Sequence, residues 1–157
     1  MTHPPPTLVR AETDAHFDAA RALFREYAAG LDAAVCFQDL SAELAEIVRR
    51  YAPPAGSLLL TVDGDDATGC VAVGSRLGAC EMRRLYVRPA HRGHGLGRRL
   101  AEAAVAEGRR LGYRRMTLDT LDQMHRARAL YAALGFREVA PHEAPSSAGV
   151  HRLAVDL

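Results

Sequence analysis

Residues 85–104 read LYVRPAHRGHGLGRRLAEAA. The apolar triplet Leu85-Tyr86-Val87 runs into Pro89, which closes an extended segment. Gly93, Gly95 and Gly97 then alternate with other residues. From Gly95 the apolar positions change to helical spacing: Leu96, Leu100, Ala103, Ala104 and Leu111 share one stripe, and Gly112 is a helix stop. The stretch therefore predicts strand, glycine turn, helix. Residues 82–101 also carry six arginines and two histidines and no carboxylate.

Alternating glycines let a backbone turn tightly and leave its N–H groups uncovered. A helix N-terminus adds roughly half a positive charge, and Arg98 and Arg99 stand in the first turn, where the helix dipole disfavours cations. An anion resting there relieves that conflict, and the several phosphates of a nucleotide-derived cofactor suit it. A solvated arginine-rich turn is the other reading of the same residues. The third glycine of a dinucleotide-binding G-x-G-x-x-G is absent, and so is a P-loop. His91 and His94 lack the further ligands that a metal needs, so no metal is expected.

Outward from this unit, Thr7–Thr13 predicts a first strand. A helix follows from Asp14, with Phe17, Ala20, Phe24, Tyr27 and Leu31 at its spacing and Thr13 or Asp14 as N-cap. The segment LDAAVCFQD reads as a loop or broken helix. Ser41 opens a second helix with Leu44, Ile47, Val48 and Tyr51 inward, and Pro53-Pro54 ends it. Ser57–Val62 and Cys70–Arg76 are strands joined across DGDD, and RLGA leads into Cys80–Val87. Arg115–Asp119 is a strand, and Asp122 caps a helix carrying Ala127, Leu130, Tyr131 and Leu134, which Gly135 ends. Phe136–Ala140 and Val150–Leu157 are strands around the linker PHEAPSSAG. The order β-α-α-β-β-β-α-β-α-β-β predicts an α/β class with a mixed sheet, in which Cys80–Asp119 forms a parallel crossover.

The 157 residues fit one domain, 7–157, behind a flexible tail, 1–6. Basic and acidic residues number 20 and 19, which speaks against nucleic-acid or membrane partners. All the basic residues are arginine. Cys36, Cys70 and Cys80 show neither disulfide nor zinc spacing, and buried thiols in a reducing cytoplasm fit them. The start MTHPPPT lacks the pattern of a signal peptide.

RGHGLG, Arg92 to Gly97, resembles the R/Q-x-x-G-x-G/A turn of the GNAT superfamily of N-acetyltransferases, and it follows a strand ending LYV as in that family. ALYAALGF, Ala129 to Phe136, is similar to the family's second mark, a helix with L-Y followed by G-F at the next strand. The resemblance covers nearly the whole chain. It implies acetyl-CoA, or another acyl-CoA, as donor. The pyrophosphate would rest on the turn Arg92, Gly93, His94, Gly95, Leu96 and Gly97, with Arg98 near by. The pantetheine arm would pair with Leu85, Tyr86 and Val87 where two parallel strands splay apart. Many members carry Asn seven residues before the tyrosine of the L-Y pair; Met124 stands there in this chain.

Acetyl transfer to an amine needs a neutral nitrogen, a polarised carbonyl and a stabilised thiolate. An alkyl ammonium with a pKa of ~10 needs a proton acceptor. Glu81 sits four residues before LYV, where several GNAT enzymes place a general base; by alternation it shares a face with Arg83, Leu85 and Val87 unless a bulge intervenes. Its other reading is an ion-pair partner of Arg83 or Arg84. Tyr131 matches the family tyrosine facing the cofactor sulfur, which implies a general acid, and its plain reading is a tyrosine on the helix's apolar stripe. A backbone N–H near Val87 is expected to polarise the carbonyl. Cys80 as a covalent nucleophile is disfavoured, since alternation sets it on the opposite face.

Tyr27, Phe37, Gln38, Asp39, His142 and Glu143 are candidates for the acceptor wall, and each reads equally as surface or core. The acceptor is a small-molecule amine or a peptide, and a homodimer through sheet edges is left open. Two other function classes compete: a non-catalytic acyl-CoA sensor, and an RNA-binding protein using the arginines between Arg83 and Arg99. Near-neutral charge and 6 % aromatic residues weigh against the last.

Overall fold

The computed structural model describes residues 3–31, 39–145 and 147–157. Its frame is a seven-stranded sheet in the order β1-β2-β3-β4-β5-β7-β6. The strands are β1 (Thr7–Arg10), β2 (Ser57–Asp63), β3 (Asp66–Arg76), β4 (Ala79–Val87), β5 (Arg115–Leu121), β6 (Arg137–Glu138) and β7 (Val150–Asp156). Neighbours run antiparallel except β4 and β5, which are parallel and joined through helix α4 (Leu96–Arg110). Helices α1 (Asp14–Ala29), α2 (Leu40–Ala45) and α3 (Ile47–Tyr51) cover one face, and α4 covers the other with α5 (His125–Ala133). No helix among the described residues is long and apolar enough to cross a membrane.

The two faces follow from the alternation of the central strands. Leu58, Leu60, Cys70 and Ala72 pack with Phe17, Phe24 and Ile47, while Leu59, Val71, Val73, Cys80 and Met82 pack with Leu100, Ala104 and Met116. Helix α4 lies close on the sheet because Gly108 faces it. A Cβ there would stand 2.9 Å from Met116 Cε and 3.2 Å from Cys80 Sγ. The cost of glycine in a helix, roughly 1 kcal/mol, is offset by that close approach.

Several boundaries differ from the sequence pattern. Strand β1 stops at Arg10 because Thr13 serves the helix instead: its Oγ1 accepts from the His16 amide and its own amide donates to His16 Nδ1. The expected second helix is two short ones, broken at Glu46 (φ −104°, ψ 15°). That break turns Val48 outward, 44 % exposed, instead of inward. Strand β3 begins at Asp66, since Gly64 at φ +62° closes a two-residue turn and lets Ala67–Gly69 pair with β2. Met124, and not Asp122, is the N-cap of α5: the Asp122 amide donates to Gly149 O and its carboxylate meets His151, which prolongs the sheet edge. Strand β6 is only two residues long.

Two buried carboxylates tie helices to the sheet. Glu107 of α4 accepts from Arg10 at 2.7 Å, Arg110 at 2.9 Å and Ser57 at 2.5 Å. Burial pushes its pKa up, but those donors outweigh burial and hold the carboxyl far below the ordinary range. Glu43 of α2 plays the same part on the opposite face, where it accepts from Tyr51 at 2.6 Å and from Arg84.

Candidate active site

The glycine turn lies between a short 3-10 turn, Pro89–His91, and the start of α4. Gly93 and Gly95 hold φ of +85° and +78°, a region in which a side chain is strained. A Cβ at Gly93, Gly95 or Gly97 would meet nothing within 4 Å, so the turn faces open space. Gly95 is the N-cap and supplies no side-chain cap. The amides of Gly93 to Arg98 have no acceptor among the described residues. Six uncovered donors at the positive end of a fifteen-residue helix fit a polyanion.

The arginines around this turn divide by function. Arg83 and Arg84 reach Glu43, and Arg88 reaches Glu26 at 2.6 Å and Ala67 O at 2.7 Å. These three are engaged by carboxylates of α1 and α2, away in sequence from the turn. Arg98 pairs with Glu102 at 2.7 Å, an exposed i,i+4 contact worth ~0.3–0.5 kcal/mol, which a phosphate can displace. Arg92 donates to Val87 O at 2.8 Å and lies over the Tyr86 ring at 5.6 Å. Arg99 donates to Pro6 O. Neither Arg92 nor Arg99 meets a carboxylate among the described residues.

Beyond the turn the sheet opens. β4 and β5 pair only at Cys80↔Met116 and Glu81↔Thr117, and past Glu81 they separate, leaving the β5-side edge of β4 without a strand partner. A bulge helps to open it: the β3–β4 register jumps between Cys70↔Tyr86 and Ala72↔Arg83, and Arg84 sits at φ +57°. The bulge corrects the expected alternation. Glu81 does not share a face with Leu85 and Val87, which pack on the α4 side with Cys80 and Met82. Tyr86 turns to the other side, its ring 5.4 Å from that of Tyr27.

A cleft of about 660 Å³ occupies the gap, and Glu81, Leu85, Met124 and Tyr131 all line it. Glu81 is held by two guanidiniums, Arg76 Nη1 at 2.6 Å on one oxygen and Arg83 Nη1 at 3.2 Å on the other. Tyr131 is 8 % exposed and packs edge-on against Phe136. Burial, and secondarily the nearby Tyr27 phenol, raise its pKa well above the ordinary phenol range. Its oxygen therefore keeps its proton and is a hydrogen-bond donor. Met124 takes a bond from Thr120 Oγ1 to its sulfur at 3.7 Å.

The family model described as the acetyltransferase (GNAT) family matches residues 17–136. The chain belongs to the GNAT family. An uncharacterized N-acetyltransferase of Schizosaccharomyces pombe is 41 % identical over 128 residues, covering 80 % of this chain and 78 % of that protein. Among solved structures, an acetyltransferase from Streptococcus agalactiae superposes with a TM-score of 0.77 at 20 % identity, covering 96 % of this chain and 98 % of that one. A candidate acetyltransferase from Salmonella typhimurium, solved with its cofactor acetyl-CoA, gives 0.72 at 24 % identity, covering 98 % and 94 %. The protein is thus a GNAT acetyltransferase, an enzyme that uses acetyl-CoA as its co-substrate.

In this GNAT chain Tyr27 lines the cleft, whereas His142 and Glu143 lie away from it, Glu143 being paired with Arg115 at 2.8 Å. Asp39 is the N-cap of α2 and does not line the cleft. Phe37 and Gln38 fall outside the described residues. Cys80 is fully buried on the α4 side, where burial pushes its thiol up to about 11. Arg76, Asp119, Arg49, Arg50 and Glu46 line the cleft without having been singled out by motif. Arg76 had one usable signal: the RLGA turn folds β3 onto β4 and brings Arg76 to Ala79, beside Glu81.

Proposed function

We propose that this enzyme acetylates a primary amine by direct attack within a ternary complex, with Glu81 as general base and Tyr131 as donor to the departing sulfur. The observation that carries the reading is the cleft itself, because Glu81 and Tyr131 both line the gap where β4 and β5 part. Bound acetyl-CoA supplies the electrophilic thioester. The amides of Gly93 to Arg98 hold its pyrophosphate, with Arg92 and Arg98 near by, and the open edge at Leu85, Tyr86 and Val87 receives the peptide-like arm as an added strand.

Glu81 takes a proton from the ammonium, directly or through water, while Arg76 and Arg83 fix its orientation. Tyr131 Oη holds its proton against the developing thiolate. Its raised pKa keeps the proton on the phenol until negative charge develops on the sulfur, so the hydroxyl is available as donor to the departing thiolate. A backbone amide of β4 near Val87 polarises the carbonyl. Met124 puts a thioether where many relatives have an amide, so this chain forgoes that polar contact. The buried free thiols Cys70 and Cys80 fit a reducing cytoplasm.

Release of free CoA thiol, followed across a panel of amines, tests the reading. Acetyl-CoA alone should raise the melting temperature, and at least one amine should be turned over. Glu81→Gln should lower kcat about 100-fold and leave the KM for acetyl-CoA in place. A variant as fast as the parent would remove Glu81 from the chemistry.

A further inference from the structure

The acceptor half of the cleft carries an unbalanced charge. Asp119 is taken by Arg152, at 2.9 Å and 3.1 Å, and Glu43 by Arg84. Four lining guanidiniums then face two carboxylates. Glu81 is shared between Arg76 and Arg83, and Glu46 between Arg49 and Arg50 at 2.7 Å and 2.9 Å. Arg83 also reaches Glu43 at 3.4 Å and Arg76 lies 3.9 Å from Asp119, so the set of six guanidiniums and four carboxylates keeps two positive charges in excess among the described residues. A simple alkyl ammonium would enter this cleft against its field.

Arg76 shows where the compensating anion fits. Its Nη1 donates to Glu81 at 2.6 Å and lies 3.9 Å from Asp119, while its Nε and Nη2 donate to no acceptor among the described residues. Those two groups form one edge of the guanidinium, the planar fork that a carboxylate accepts in bidentate fashion. The side chain is about one-third exposed and lines the cleft, so a ligand can reach that edge.

We propose that the acceptor is a small primary amine bearing a carboxylate, of the free amino-acid type: its ammonium faces Glu81 and its carboxylate takes the Nε–Nη2 edge of Arg76. This rests on the amine-acetyltransferase reading above and narrows it to a substrate class. Arg76 is then a specificity residue as well as the orienting partner of Glu81.

The test compares α-amino acids with their own carboxamides in the thiol-release assay. The amide's ammonium is the more acidic of the two, so chemistry alone favours the amide, and a preference for the acid reports recognition. The acid is expected to exceed its amide at least tenfold in kcat/KM. Arg76→Gln should bring that ratio towards one, mainly through the KM of the acid, with the KM for acetyl-CoA unmoved. Arg76→Lys, which keeps the charge and loses the fork, should recover only part of it.

Equal rates for acid and amide, faster turnover of amides or peptides, or a ratio that survives Arg76→Gln would each overturn the proposal. Should no amine be turned over, the enzyme reading fails on its own account. Discrimination is then read from calorimetric binding of the same acids and amides to the protein with CoA, where equal affinities would overturn it.

Discussion

Tyr131→Phe should lower kcat about 100-fold, leave acetyl-CoA affinity within about a factor of two of the parent, and scarcely change the melting temperature. The three outcomes follow from one geometry. The ring is buried and packs edge-on against Phe136, and phenylalanine keeps that contact. The hydroxyl makes no hydrogen bond to a described residue, so its removal orphans no partner. What is lost is a donor at the mouth of the opened sheet, held protonated by burial. A donor that meets charge only as sulfur departs acts in the transition state, and its loss appears in kcat. Single-turnover kinetics with direct calorimetry of cofactor binding separates the terms. Full turnover in Tyr131→Phe would show that the sulfur is met by another group.

Glu43→Ala should cost about 3–5 kcal/mol, which in a chain of this size lowers the melting temperature by roughly 10 °C. Glu43 is 1 % exposed and takes bonds from Tyr51, Arg83 and Arg84. Deleting it removes from buried Arg84 the carboxylate that fixes the bulge. The same carboxylate governs behaviour in acid. Burial raises the pKa of Glu43, but Arg84, Arg83 and Tyr51 together bring it below the ordinary 4.5, and Glu107 is lowered likewise. The unfolded chain binds protons near 4.5 that the folded one refuses. Stability from both groups is therefore complete above that pH and is lost as pH falls beneath it. Denaturant titrations from pH 7 to 3 should show a decline below 4.5, shallower in Glu43→Ala. A loss under about 1 kcal/mol would mean that the network is replaceable by solvent.

What could be read from the sequence was local. The turn at Gly93–Gly97 and the helix behind it announce themselves through glycine spacing and a clean apolar stripe, and the succession of strands and helices along the chain follows from periodicity. The bulge at Arg84 carries no such sign. A non-glycine residue at φ +57° is stabilised there by a carboxylate 41 positions away, on a helix that the pattern placed only approximately. The pairing of Glu81 was half legible: Arg83, two positions along its own strand, was one of the expected partners, whereas the nearer partner, Arg76, comes from across a hairpin. The arginine cluster likewise looked continuous in the chain. In space Arg83, Arg84 and Arg88 turn to Glu43 and Glu26, and only the remainder surrounds the turn.

On the proposed reading, uncovered amides at the start of α4 hold the phosphates of acetyl-CoA and so aim its thioester between Glu81 and Tyr131. A crystal structure of the protein with acetyl-CoA decides the matter. Pyrophosphate oxygens should lie within hydrogen-bond distance of the amides of Gly93 to Arg98, and the sulfur within reach of Tyr131 Oη. Phosphates seated elsewhere, or a thioester lying outside the gap between β4 and β5, would contradict that reading.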